Sequence, residues 1–112
     1  MQNGIYHVNF SSSLSSAGTG IVVIKDGSVN GGDDGYLYTG LLLADGSQVS
    51  GKLQIKRWNA SATSVFGPLD IFDLNLVGSS DDQMGTFTVS GGIAGQPGAT
   101  IKIHGRKLAP AS

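Results

Sequence analysis

The sequence predicts an all-β fold, a small antiparallel barrel of eight strands in up-and-down order with one short helix. Three observations lead there. The chain of 112 residues contains 18 glycines, and all eight of its acidic residues are Asp. Asp favours turns where Glu favours helices, and glycine near ~7% would be ordinary. Short runs of alternating apolar residues recur along its length, separated by turn signals. Eight such runs can close on themselves, which removes the edges that would otherwise template aggregation; a flattened β-sandwich is the runner-up.

The elements follow in order. GIYHVNF, residues 4–10, opens the chain as a strand after Asn3-Gly4, and a serine-rich loop follows it. TGIVVIK, residues 19–25, is a β-branched strand ending in Asp26-Gly27, the signature of a two-residue type I′ hairpin turn. Ser28-Val29-Asn30 returns, and Gly31-Gly32-Asp33-Asp34-Gly35 re-aims the chain.

Residues 35–58 read as a central hairpin about Asp45-Gly46. Its second strand alternates, with Val49, Gly51, Leu53 and Ile55 on one face and Ser50, Lys52, Gln54 and Lys56 on the other. The first strand is apolar on both faces, Leu37, Leu41 and Leu43 against Tyr36, Tyr38 and Leu42. After Trp58, the stretch from Asn59 to Phe66 reads as one or two helical turns stopped by Gly67-Pro68. Three further strands complete the count: LDIFDLNLV (69–77), MGTFTVSGG (84–92) and TIKIHGRKL (100–108). Glycines within the runs (Gly40, Gly51, Gly85, Gly105) suit the bends of a small barrel.

Composition narrows the function classes. A net charge of −1 leaves no footprint for nucleic acid or an anionic membrane. Without cysteine there is no disulfide or thiol chemistry. The N-terminal stretch has neither a basic nor an apolar region of signal-peptide type, and no apolar run nears the ~20 residues of a membrane span, so a cytoplasmic location is expected.

Several segments together resemble one known family: GIYHVNF, GSVNGGDDGYLYTGLLLADG, SVFGPLDIFDLNLVG and ATIKIHGRKLA. They look like the GrlR-like family, negative regulators of type III secretion. The resemblance spans nearly the whole chain. It implies a lipocalin-like eight-stranded barrel with a short helix, an apolar interior and a homodimer. It also implies action by protein contact, in which the regulator sequesters a transcriptional activator. The regulator that gives the family its name has an acidic run in the turn of the central hairpin. Here that turn reads Ala44-Asp45-Gly46-Ser47, so Asp45 is the one matching charge and the candidate partner-binding residue.

No enzyme is expected. G-x-S-x-G does not occur, and GGIAGQPG lacks the strand-to-helix context and Gly-Lys-Ser/Thr ending of a phosphate loop. His7 and His104 fall on strands that closure makes neighbours, yet neither has a second ligand at metal spacing, so no metal or cofactor is expected. Asp33-Asp34 and Asp81-Asp82 suit turns better than acid–base or calcium chemistry.

The surplus of apolar residues predicts a contact. Val22, Ile24, Tyr36, Tyr38 and Leu42 are expected on the outer wall, covered by a second copy of the chain, because so large a bare patch is unusual on a monomer. Ile55, Phe66, Phe87 and Ile103 are expected inside, filling the barrel or lining a site for a small apolar ligand. The partners expected are therefore a second copy, an activator protein, or a lipocalin-type ligand.

Overall fold

Eight strands run in sequence order: β1 (Gly4–Ser12), β2 (Ala17–Lys25), β3 (Ser28–Gly32), β4 (Tyr36–Asp45), β5 (Gln48–Arg57), β6 (Ile71–Asp81), β7 (Thr86–Ile93) and β8 (Gln96–Ala109). The structure is a computed structural model that describes residues 1–13, 17–61 and 70–111, with Pro97 described by its backbone alone. Each strand pairs antiparallel with the next, and β8 pairs with β1, so the sheet is a closed barrel. The all-β, eight-stranded, up-and-down expectation holds. No helix occurs among the described residues; most of the stretch expected to be helical, 62–66, lies outside them, and Ala60-Ser61 form a turn.

Alternation decides what is inside. The core contains Val22 and Ile24 from β2, Tyr36, Tyr38 and Leu42 from β4, and Leu53 and Ile55 from β5. Leu74, Leu76, Phe87, Val89, Ile101 and Ile103 complete the opposite wall, and no polar or charged residue among those described is fully buried. Full burial of each such aliphatic side chain contributes roughly 1.5–3 kcal/mol, so this ring dominates stability.

Turn chemistry sets the registers, with one change from expectation. Lys25 pairs with Ser28, and both Asp26 (φ 52°) and Gly27 (φ 83°) are left-handed, as a type I′ turn requires. In the central hairpin Asp45 instead pairs with Gln48, so the two loop residues are Gly46 and Ser47. Gly46 has φ 61° and Ser47 is not left-handed, the pattern of a type II′ turn with Gly at its first central position. Asp45 thus ends β4. Between β7 and β8 the turn is Ala94-Gly95, and Gln96 already belongs to β8.

Small inward residues let the wall curve. A Cβ at Gly51 would lie 2.0 Å from the Leu41 carbonyl oxygen across the β4–β5 ladder, so only glycine permits that approach. Gly85, by contrast, lies in the β6–β7 turn and not within a strand.

Candidate functional site

An interior cavity, a polar latch at one rim and an exposed apolar face are the three features that bear on function. The cavity measures about 310 Å³ and is walled by aliphatic and aromatic side chains, among them Ile55, Phe87 and Ile103. Phe66, the fourth interior candidate, lies outside the described residues. The volume is at the low end of small-molecule sites, so the interior is not completely filled by its own side chains.

The rim at the β3–β4 connection is organised by Asp33. Its Oδ1 accepts hydrogen bonds from the backbone N–H of Gly35 (2.8 Å) and Tyr36 (2.7 Å), while Tyr38 donates its hydroxyl to Oδ2. Trp58 Nε1 donates to the Asp33 carbonyl at 3.1 Å, and Asn59 Nδ2 to that of Asp34 at 3.0 Å. Gly-Gly-Asp-Asp-Gly is therefore a pinned connection, not a ligand cluster. Burial, reinforced by the Asp33 carboxylate, holds the Tyr38 phenol far above its ordinary range. Tyr6, whose hydroxyl donates to the Gln2 carbonyl at 2.7 Å, is also raised, chiefly by burial. The Phe10 ring stands edge-on to Tyr38, centroids 5.9 Å apart, closing the same corner.

The predicted contact set must be corrected. Val22, Ile24, Tyr36, Tyr38 and Leu42 all point into the barrel and are between 1% and 6% exposed. Their odd-numbered neighbours stand outside: Ile21 (42%), Val23 (37%), Leu37 (45%), Leu41 (50%) and Leu43 (55%). The reason is register. A two-residue loop, wherever it is centred, pairs even-numbered residues of β4 with odd-numbered residues of β5, and directly paired residues share a face. Tyr38 sits opposite Ile55, and Ile24 opposite Val29. Because β5 alternates cleanly, Leu53 and Ile55 already determine which face of β4 is inward. That signal was in the sequence.

The remaining candidates separate. Asp45 is exposed at the end of β4 beside the Gly46-Ser47 turn. His7 pairs with Arg106 and Asn9 with His104, so the two imidazoles are offset on the outer face of β1 and β8. His104 Nδ1 lies 2.9 Å from Thr88 Oγ1. Among the described residues no three His, Cys, Asp or Glu gather as a metal site would need. Asp81 Oδ1 accepts from the backbone of Gln83 and Met84, both at 3.1 Å, which is turn chemistry.

A model of one protein family, described as the type III secretion system negative regulator GrlR, matches residues 1–110. The chain belongs to the GrlR family. A search of curated proteins finds no match. The resemblance seen in the N-terminal strand, the Gly-Gly-Asp connection and the Ser-Val-Phe-Gly segment is thus a family relationship along almost the full chain. Within it, Asp33 has a definite structural role: it ties the start of β4 to the rim of the GrlR-family barrel. The family is described as one of negative regulators.

Proposed function

We propose that the chain is a non-enzymatic regulatory module of the cytoplasm that acts by protein–protein contact, sequestering a transcriptional activator of type III secretion. Membership in a family of negative regulators, matched over residues 1–110, is the observation that carries this reading. The barrel works as a homodimer. Its second copy covers Ile21, Val23, Leu37, Leu41 and Leu43, a group that stands outside a closed wall and has no structural task in the monomer. These side chains are already about half covered in the monomer, so their further burial contributes roughly 0.7–1.5 kcal/mol each toward holding two copies together. Asp45, exposed at the end of β4 beside the Gly46-Ser47 turn and two residues beyond Leu43 on the same face, is the charge offered to the activator at the margin of that group.

The test is a type III secretion reporter in the source cell, combined with recovery of tagged protein. Overproduction should lower reporter transcription, and the activator should co-purify. An unchanged reporter, with only self recovered, would refute the regulatory reading. A second reading is favoured by the cavity: transport of a small apolar ligand in the manner of a lipocalin. Native mass spectrometry of the purified protein decides it, since a bound mass that organic extraction removes would support a carrier.

A further inference from the structure

The charges of this chain are not mixed evenly around the barrel. All eight aspartates lie between residues 26 and 82, where three cations accompany them, a net −5. The rest of the chain carries Lys25, Lys102, Arg106 and Lys107 with no carboxylate side chain, a net +4. Closure gathers this second part into one continuous stretch of wall, because β7, β8, β1 and β2 are successive neighbours. A chain nearly neutral overall is therefore electrically two-sided.

The positive side has a centre. Lys102, His104 and Arg106 alternate along the outer face of β8, and all three are exposed. Their registers place Ser90, Thr88 and Thr86 beside them on β7, and Ser11, Asn9 and His7 on β1. Each basic side chain is thus flanked by hydroxyl, amide or imidazole groups. Among the described residues neither Lys102 nor Arg106 has a carboxylate within ion-pair distance, whereas Lys52 and Arg57 on the other wall pair with Asp73 and Asp70. An open groove bordered by Asn9, Ser11, Gly18, Thr19, Lys102 and His104 lies on the same face.

We propose that the outer face of β7, β8 and β1 docks an extended acidic segment of a partner protein. The spacing fits. Alternate residues of a β-strand are about 6.8 Å apart, which is also the spacing of alternate carboxylates on an extended peptide laid along β8. The flanking hydroxyls and amides then donate to the second oxygen of each carboxylate. Nucleic acid fits less well: specific duplex binding commonly uses about 6–10 phosphate contacts, and here the aspartates of the opposite wall repel a long polyanion. The inference is independent of the activator reading, which concerns the other side of the barrel.

The experiment uses a fluorescein-labelled peptide of four Glu-Ser repeats, with a Lys-Ser control and an oligothymidylate of matched charge. Anisotropy is followed at about 50 mM and about 300 mM salt, with amide shifts mapped by NMR. The acidic peptide should bind, weaken at the higher salt, and shift amides of β7, β8 and β1. Lys102→Glu with Arg106→Glu should weaken it about tenfold or more, while Lys56→Glu on β5 leaves it unchanged. All three positions are exposed, and far-ultraviolet circular dichroism verifies that each variant is folded. No binding at low salt, shifts confined to β3–β6, indifference to the double reversal, or tighter capture of the oligothymidylate would each overturn the proposal.

Discussion

Replacing Asp33 with Ala should cost this barrel a large share of its stability, and the structure says why. The carboxylate accepts from two backbone amides, at 2.8 and 2.7 Å, and from the Tyr38 hydroxyl. Hydrogen bonds to a charged acceptor contribute roughly 1.5–3 kcal/mol each. The three are not additive, since water can enter the space left at the rim and solvate the Gly35 amide. The buried Tyr38 hydroxyl recovers least. An overall loss of about 3–4 kcal/mol follows, from a total of about 5–15 kcal/mol for a domain of this size. Asp33→Asn keeps an acceptor for both amides and should cost about 1 kcal/mol. Urea denaturation, followed by the fluorescence of Trp58, measures both, because that indole is tied to the Asp33 carbonyl at 3.1 Å. A double-mutant cycle with Tyr38→Phe isolates the side-chain pair and should show coupling of about 1 kcal/mol or more. If Asp33→Ala costs under about 1 kcal/mol, or the cycle is additive, the latch does not organise the rim and the reasoning fails.

Four further outcomes are expected. Stability should fall as pH rises above about 10, because an unfolded tyrosine ionises there while Tyr38, its folded pKa raised, keeps its proton. The slope is about 1.4 kcal/mol per pH unit for that residue, its contribution is fully present below about pH 10, and Tyr38→Phe should remove this part of the alkaline loss. Gly51→Ala should destabilise by about 1–3 kcal/mol in thermal melts, since its Cβ would meet the Leu41 carbonyl oxygen at 2.0 Å. Leu42→Ala should cost about 2–5 kcal/mol in chemical denaturation. Leu41→Glu should instead leave monomer stability within about 0.5 kcal/mol and shift light scattering from dimer to monomer; a monomeric parent would refute the interface.

Strand number, order and nearly all turn positions were legible in the sequence, because period-two alternation and glycine-containing turns are local signals. Val49, Leu53 and Ile55 on β5 could be assigned to the core by inspection, and they are there. The facing of β2 and β4 was harder, since both parities are apolar and local pattern cannot choose. The choice is made across the ladder, where Tyr38 meets Ile55 and Ile24 meets Val29. Following the hairpin register would have assigned them correctly. The Asp33 latch was only half visible: the turn-forming role of Gly-Gly-Asp could be read locally, but its link to Tyr38 and Trp58 depends on the fold. The size of the interior cavity could not be read, because it is the small residual between wall curvature and the side chains that line it.

Ring closure has a consequence for the basic face. Its two halves, Asn9 and Ser11 on one side and Lys102 and His104 on the other, come from opposite ends of the chain and meet only across the β1–β8 seam. A nascent or partly opened molecule therefore presents no such surface. Any ligand held there recognises the finished cylinder, and by mass action it fastens the seam it spans.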